Sequence, residues 1–166
     1  MQTQSAIQLR SDLKAGDLGW VIGQHGLVYA NQFAWDTSFE FVVADIALEF
    51  FRNYQPERDR MWLAEQDGER LGSIFLEHKS LEDAKLRLLL VLPEARGMGL
   101  GTRLVDECLQ FARQVGYKRV SLWTMDRLVT ARRIYKRAGF ELIESEPVFQ
   151  FGHHMHSETW QIDLTR

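Results

Sequence analysis

The stretch ARGMGLGTRL, residues 95–104, sets a glycine at every second position behind an arginine: Arg96, then Gly97, Gly99 and Gly101. Ahead of it runs LRLLLVLPE, a dense apolar block ended by Pro93; behind it, LVDECLQFAR reads as a helix. Glycine costs backbone entropy, so three in five residues answer a geometric need. Either the turn is unusually tight or something large lies against its backbone. A turn from a buried strand into a helix N-terminus offers N–H groups without internal partners and the positive end of the helix dipole. An anion fits there, and a phosphate is the usual one. Arg96 and Thr102 add a charged fork and a hydroxyl.

Two familiar phosphate loops do not match. A Walker loop ends Gly-Lys-Ser/Thr, whereas Gly101 is followed by Thr102 and Arg103. The dinucleotide fingerprint needs its third glycine where Thr102 stands, and an acid about 20 residues on, where Val120 and Leu122 offer none.

The whole chain bounds the answer. Its 166 residues suit one domain, residues 1–166, with a sizeable core. A net charge of −3 argues against a nucleic-acid binder, which usually carries a basic excess. The start, MQTQSAIQLRSDLK, lacks the apolar core of a signal peptide, and no apolar run approaches the roughly 18 residues of a membrane span. One cysteine rules out an internal disulfide and fits a reducing cytosol, so a cytoplasmic protein is expected.

Periodicity predicts the order β-α-α-β-β-β-α-β-α-β-β. A short strand lies at residues 6–11, then a helix at residues 16–33 with Leu18, Ile22, His25 and Tyr29 on one face. TSFE, residues 37–40, offers a capping box for a second helix running to about Asn53. MWLAEQDGERLGSIFLEH reads as a hairpin turning at Asp67 and Gly68. The nearly continuous apolar run at residues 84–92 predicts a strand buried on both faces in a parallel part of the sheet. A helix to Val115, a strand KRVSLWT, a short helix ending at Gly139, and the strands FELIESEPVFQF and ETWQIDL complete an α/β fold, a mixed sheet with helices on both faces.

The hexapeptide from Arg96 to Gly101 fits Gln/Arg-x-x-Gly-x-Gly/Ala, the pyrophosphate loop of the GCN5-related N-acetyltransferases. With LLLVLPEARG before it and ARRIYKRAGFEL, residues 131–142, after it, the chain resembles that family over residues 88–142, and its element order agrees beyond them. Through DLGWVIGQHGLVYA and FGHH it is similar to acetyltransferase domains fused behind MarR-like DNA-binding domains, and is expected to stand alone here. The resemblance implies a mostly antiparallel sheet with one splayed parallel pair, acetyl-CoA as co-substrate, an amine acceptor, and no metal. It leaves a homodimer open, and no nucleic acid or membrane is expected as partner.

Carried over residue by residue, the resemblance puts pantetheine along the main chain of Leu89, Leu90 and Val91. The pyrophosphate falls on Arg96, Gly97, Gly99, Gly101 and Thr102. Tyr135 stands where the family often has the tyrosine that protonates the CoA thiolate, the alternative being an aromatic core residue. Leu128 replaces an asparagine that contacts pantetheine in many members. Arg127, Arg132, Arg133, Lys136 and Arg137 make the last helix basic, as a solvated face or a 3′-phosphate contact. No general base carries over. His25, Glu40 and Arg87 are the acceptor-side candidates, against a core histidine, a helix cap and a strand charge; Glu77 is read as a strand-end charge. His153, His154 and His156 match no zinc spacing, and Cys108 reads as a buried thiol. The expected activity is acetyl transfer to a primary amine by direct attack; the rival is a non-catalytic acyl-CoA-sensing or partner-binding module.

Overall fold

The computed structural model describes residues 3–166. In chain order these form β1 (Gln8–Arg10), α1 (Asp17–Phe33), α2 (Thr37–Arg52), β2 (Arg60–Gln66), β3 (Glu69–His78), β4 (Asp83–Val91), a 3-10 turn (Pro93–Ala95), α3 (Leu100–Val115), β5 (Arg119–Met125), α4 (Val129–Ala138), β6 (Glu141–Gln150) and β7 (His153–Asp163). The seven strands make one sheet in the order β1-β2-β3-β4-β5-β7-β6, antiparallel except where β4 meets β5. Among the described residues no helix is long and apolar enough to cross a membrane.

Strand alternation sends side chains to two cores. Trp62, Ala64, Ile74 and Leu76 pack under α3 and α4, while Met61, Leu63 and Phe75 meet Val21 and Phe50 from α1 and α2 on the other face. The hairpin turn is set by Asp67 (φ 51°) and Gly68 (φ 81°), both left-handed as a two-residue type I′ turn requires. The start of α1 is tied down by buried Asp17. It accepts from Arg10 at 2.6 and 2.8 Å, from Arg70 at 2.9 Å and from the Lys14 N–H at 2.6 Å. Burial works to raise this carboxyl's pKa, but the bonds from Arg10, Lys14 and Arg70 hold it down at about 2.

Three expectations are corrected. The cap of α2 is Asp36, one residue before Thr37; its carboxylate accepts from the Ser38 N–H at 3.0 Å, and an anion suits the helix N-terminus better than a hydroxyl. β7 begins at His153 and not at Glu158, so the histidines lie in a strand. And β4, though parallel to β5 as expected, is not buried on both faces. It pairs with β5 only over residues 83–85 and 119–121, and its burial alternates.

A β-bulge explains the long apolar run. Phe75 opposes Arg87 and Ser73 opposes Leu90, so three steps on β4 match two on β3. Leu88 takes the extra step at φ 54°, a conformation rare for a leucine. Before it Ala84 and Leu86 face the α3 core; beyond it Leu90 and Leu92 face Val28 of α1. The bulge therefore flips the inward parity, and apolar residues succeed one another without a break. It also bends β4 away from β5 and opens the sheet. Ser73, fully buried on β3, pins it by donating to the Leu88 carbonyl at 2.8 Å. Beside it, a Cβ on Gly72 would lie 2.5 Å from the Leu90 carbonyl oxygen, so only glycine allows the two backbones this close.

Ser73→Ala leaves that carbonyl without its partner. The expected cost is about 1–3 kcal/mol, a fall of several degrees in melting temperature at this size. An unchanged melting curve would show that the bulge needs no pin.

Candidate active site

Where β4 and β5 part, a cavity of about 460 Å³ opens between the end of α1, the end of β4, the glycine turn and the start of α4. Leu89, Leu90, Val91, Arg96, Gly97, Gly99, Gly101 and Thr102 all line it. From Gly97 to Thr102 no N–H donates to a backbone carbonyl among the described residues; the first such bond runs from the Arg103 N–H to the Gly99 carbonyl at 3.0 Å. Six successive donors thus have no backbone acceptor at a helix N-terminus, five of them on residues that line the cleft, an arrangement that favours an anion. Arg96 extends beside them and donates to Gln32 Oε1 at 2.7 Å, joining the turn to α1.

The three glycines do different things. Gly97 (φ 78°) and Gly99 (φ 73°) are left-handed, and a Cβ on either would touch no protein atom. Backbone conformation demands them. Gly101 is an ordinary, buried helical residue on which a Cβ would come within 2.7 Å of Ile134 Cδ1. Its missing side chain admits α4 against α3, a packing need that spacing alone does not reveal.

A second cavity, about 80 Å³, adjoins the first, and Tyr29, Leu89, Leu128 and Ala131 line both. Tyr135 lines the smaller one, one helical turn beyond Ala131. It is buried against Phe140, ring centres 5.8 Å apart. Burial, then the neighbouring Tyr29 and Cys108, pushes its pKa up, so the phenol holds its proton throughout the working range. Leu128, at the head of α4, puts an apolar side chain into both cavities where an amide was expected.

His25 and Arg87 also line the smaller cavity, whereas Glu40 lines neither. Glu40 lies over Gly26, where a Cβ would meet it at 2.9 Å, and so seats α2 on α1. Arg87 is drawn toward buried Glu77, Nε to Oε2 at 3.3 Å, with Lys79 on the same carboxylate at 3.1 Å. His25 is 2% exposed, and its Nδ1–H donates to the Val21 carbonyl at 2.7 Å, leaving Nε2 a bare acceptor without a partner among the described residues. Burial lowers its pKa to about 4, so the ring is neutral near pH 7. Sequence reasoning missed Trp35, Phe39, Trp123 and Phe151, which supply four of the rings that line the smaller cavity. They come from a loop, a helix, a strand and a turn (Phe151 at φ 57°), and no periodic signal joins them.

The basic helix divides. Arg132 grips buried Glu158 at 2.8 and 3.2 Å, and Arg127 donates to the His154 carbonyl at 3.2 Å from the cleft rim. Arg133, Lys136 and Arg137 are exposed. The histidines of β7 have separate contacts: His153 with the Ala34 carbonyl at 2.9 Å, His154 with the Phe149 ring, His156 with Asp126 at 3.6 Å. Cys108 is wholly buried and its thiol pKa raised, which leaves it unreactive.

The sequence pattern of the Acetyltransferase (GNAT) family matches residues 29–140. An uncharacterised N-acetyltransferase of Schizosaccharomyces pombe is 32% identical over 142 residues, spanning 84% of this chain and 83% of that protein. Another from Escherichia coli is 32% identical over 63% of this chain and 65% of its own length. Among solved structures, a Salmonella typhimurium protein described as an acetyltransferase, with its cofactor acetyl-CoA, superposes with a TM-score of 0.77 at 19% identity, covering 96% of this chain and 95% of that one.

Two expectations follow from the geometry. In the unfolded chain His25 takes a proton near pH 6.5, in the folded one only near 4. The unfolded state therefore binds more protons in that window, and stability falls as pH falls through it, by up to roughly 3 kcal/mol. His25→Phe should lack this loss, so the stability difference between the two proteins should be flat above pH 6.5 and move in favour of the variant toward pH 4. Parallel curves would place the histidine in water. Asp17 acts lower, between pH 3.8 and about 2. For Gly101→Ala, the helix-propensity gain of about 1 kcal/mol competes with overpacking that costs about 1–3 kcal/mol. Because the clashing atom is the free end of Ile134, which can swing aside, the two nearly cancel, and Ile134→Val, which removes that atom, should make Gly101→Ala clearly stabilising in a double-mutant cycle. Strict additivity would refute the contact.

Proposed function

The chain belongs to the GNAT family of acetyltransferases, and we propose that it transfers the acetyl group of acetyl-CoA to a primary amine by direct attack. The observation that carries this is the run of six unpaired N–H groups, residues 97–102, at the mouth of the splayed sheet, with the Tyr135 cavity opening beside it. Those donors, with Arg96 and the Thr102 hydroxyl, are suited to a pyrophosphate. The edge of β4 at Leu89, Leu90 and Val91, released from β5, can pair with the amide-bearing pantetheine as a strand would. When bound, the thioester supplies the activated acetyl group. A backbone N–H near Leu90 polarises its carbonyl, and the walls of the two cavities hold the amine against it.

As the C–N bond forms and the C–S bond breaks, the amine gives up one proton to solvent at the open cleft, the thiolate takes one, and the group that donates the latter is reprotonated from the same solvent. Tyr135 is the proposed donor to the thiolate. Its raised pKa makes it a weak acid in water terms, but the same burial that raises it also raises a thiolate, as the buried Cys108 thiol shows. Proton transfer between the two thus stays matched inside the cleft. A cytoplasmic setting, which would supply acetyl-CoA, is part of this reading.

The direct test is release of free thiol from acetyl-CoA in the presence of an amine panel, alongside thermal shifts. Acetyl-CoA at 100 times its dissociation constant should add about 2.7 kcal/mol of stability; CoA should do nearly as well, and NADH and ATP much less. Equal shifts for all of them would sink the assignment. Tyr135→Phe should keep the fold and CoA affinity yet lose roughly 30-fold or more in kcat, general-acid help being worth about 10²–10⁴. The loss should grow as pH rises, because water becomes a poorer proton source while the phenol stays protonated. A folded, CoA-binding variant with undiminished kcat at every pH would remove Tyr135 from the chemistry.

A further inference from the structure

The smaller cavity says what kind of amine it takes. Of the residues that line it none is a carboxylate; its one cation, Arg87, already leans on Glu77. Apart from Arg87, His25 and Thr124 its wall is apolar, aliphatic side chains alternating with the rings of Tyr29, Trp35, Phe39, Trp123, Tyr135 and Phe151. An ammonium entering it would lose its water with no anion in return, beside a guanidinium of its own sign. Two buried polar atoms on this wall have no partner among the described residues: the bare acceptor His25 Nε2 and the donor Trp35 Nε1–H. They flank the same two rings. Tyr29 is 6.0 Å from His25 and 5.2 Å from Trp35 between ring centres, and Phe39 is 6.4 and 4.9 Å from them. Buried polar groups left unpaired are rare, and a complementary pair on one cavity wall marks a ligand with the opposite pattern. The space of about 80 Å³ equals only a few waters at about 30 Å³ each, so it admits no more than a short chain or one small ring that extends into the adjoining cleft.

Resting on the acetyl transfer proposed above, we propose that the acceptor is a small uncharged amine of low basicity, a single-ring arylamine in type, whose N–H donates to His25 Nε2 and whose far side accepts from Trp35 Nε1–H. Polyamines, aminoglycosides and lysine side chains fail on charge, and the first two on size as well. An arylamine arrives neutral near pH 7, so no residue has to remove a proton before attack. The one proton lost as the C–N bond forms leaves along the hydrogen bond to His25 Nε2 and passes on to solvent.

Aniline and benzylamine test this directly, having similar bulk but opposite charge states near pH 7. With saturating acetyl-CoA, kcat/KM for aniline should exceed that for benzylamine or spermidine by about tenfold or more, the discrimination expected of a site that rejects a buried cation. His25→Phe should raise the KM for aniline about three- to tenfold, the worth of one hydrogen bond, while acetyl-CoA affinity stays unchanged. 4-Aminophenol should bind more tightly than aniline, an advantage lost in Trp35→Phe. Aniline should also change the fluorescence of Trp35 and Trp123 in the CoA-loaded protein, a readout that needs no turnover. Faster thiol release with benzylamine or spermidine would overturn the inference and leave the transferase standing. Absence of thiol release with every amine, and of any CoA-induced thermal shift, would strike the underlying reading instead. Aniline turnover unaffected by His25→Phe would overturn the assigned contact.

Discussion

One extra residue in β4 governs the architecture of the site. Leu88 at φ 54°, pinned through its carbonyl by Ser73, lengthens β4 by one step against β3. The strand then turns off the path of β5 after only three paired residues. Everything at the site follows from that divergence: the unpaired edge at Leu89, Leu90 and Val91, the cleft between two strands of one sheet, and the glycine turn hung at its mouth. A left-handed leucine is locally unfavourable. It persists because Gly72 lets the β4 backbone come close and because Leu90 and Leu92, once flipped in parity, find Val28 on α1. Strain at the bulge is offset by apolar burial on the far side of it.

The two cavities are electrostatic opposites. The larger one ends in unpaired backbone donors, a helix N-terminus and Arg96, and suits negative charge. The smaller one is mostly apolar, without a carboxylate, and its histidine is kept neutral by burial. Tyr29, Leu89, Leu128 and Ala131 form the partition through which they communicate. An acyl transfer needs both environments in contact: one to hold a polyanionic carrier, the other to keep a nucleophile and a phenol uncharged. The anchoring of α1 serves both. Asp17, clamped by Arg10 and Arg70, fixes the start of a helix that carries His25 and Tyr29 to the small cavity and Gln32 to the loop.

Much of this was legible in the linear chain. The order of helices and strands, the Asp67–Gly68 hairpin and the glycine turn all follow from local rules: periodicity for the elements, positive φ for the turns. The row of donors at residues 97–102 belongs to the same class, because N–H groups without a backbone acceptor at a helix start are a property of the backbone and need no distant partner. Tyr135 and the core face of α3 were legible because helical spacing places side chains on one side.

What the sequence could not state is whatever depends on two segments meeting. Residues 84–92 read as buried on both faces because an unbroken apolar run looks the same with or without a bulge; the extra residue shows only against the register of β3. Gly97, Gly99 and Gly101 read as one device, yet only contact with Ile134 distinguishes the third from the others. Glu40 read as an acceptor contact or a cap until Gly26 of α1 was found beneath it. Trp35, Phe39, Trp123 and Phe151 converge from four separate elements to wall the small cavity. Local propensity and spacing determine each element and its exposed backbone donors, since both act within a few residues. The shape and polarity of the smaller cavity were decided only by packing, which acts between residues as far apart as Trp35 and Phe151.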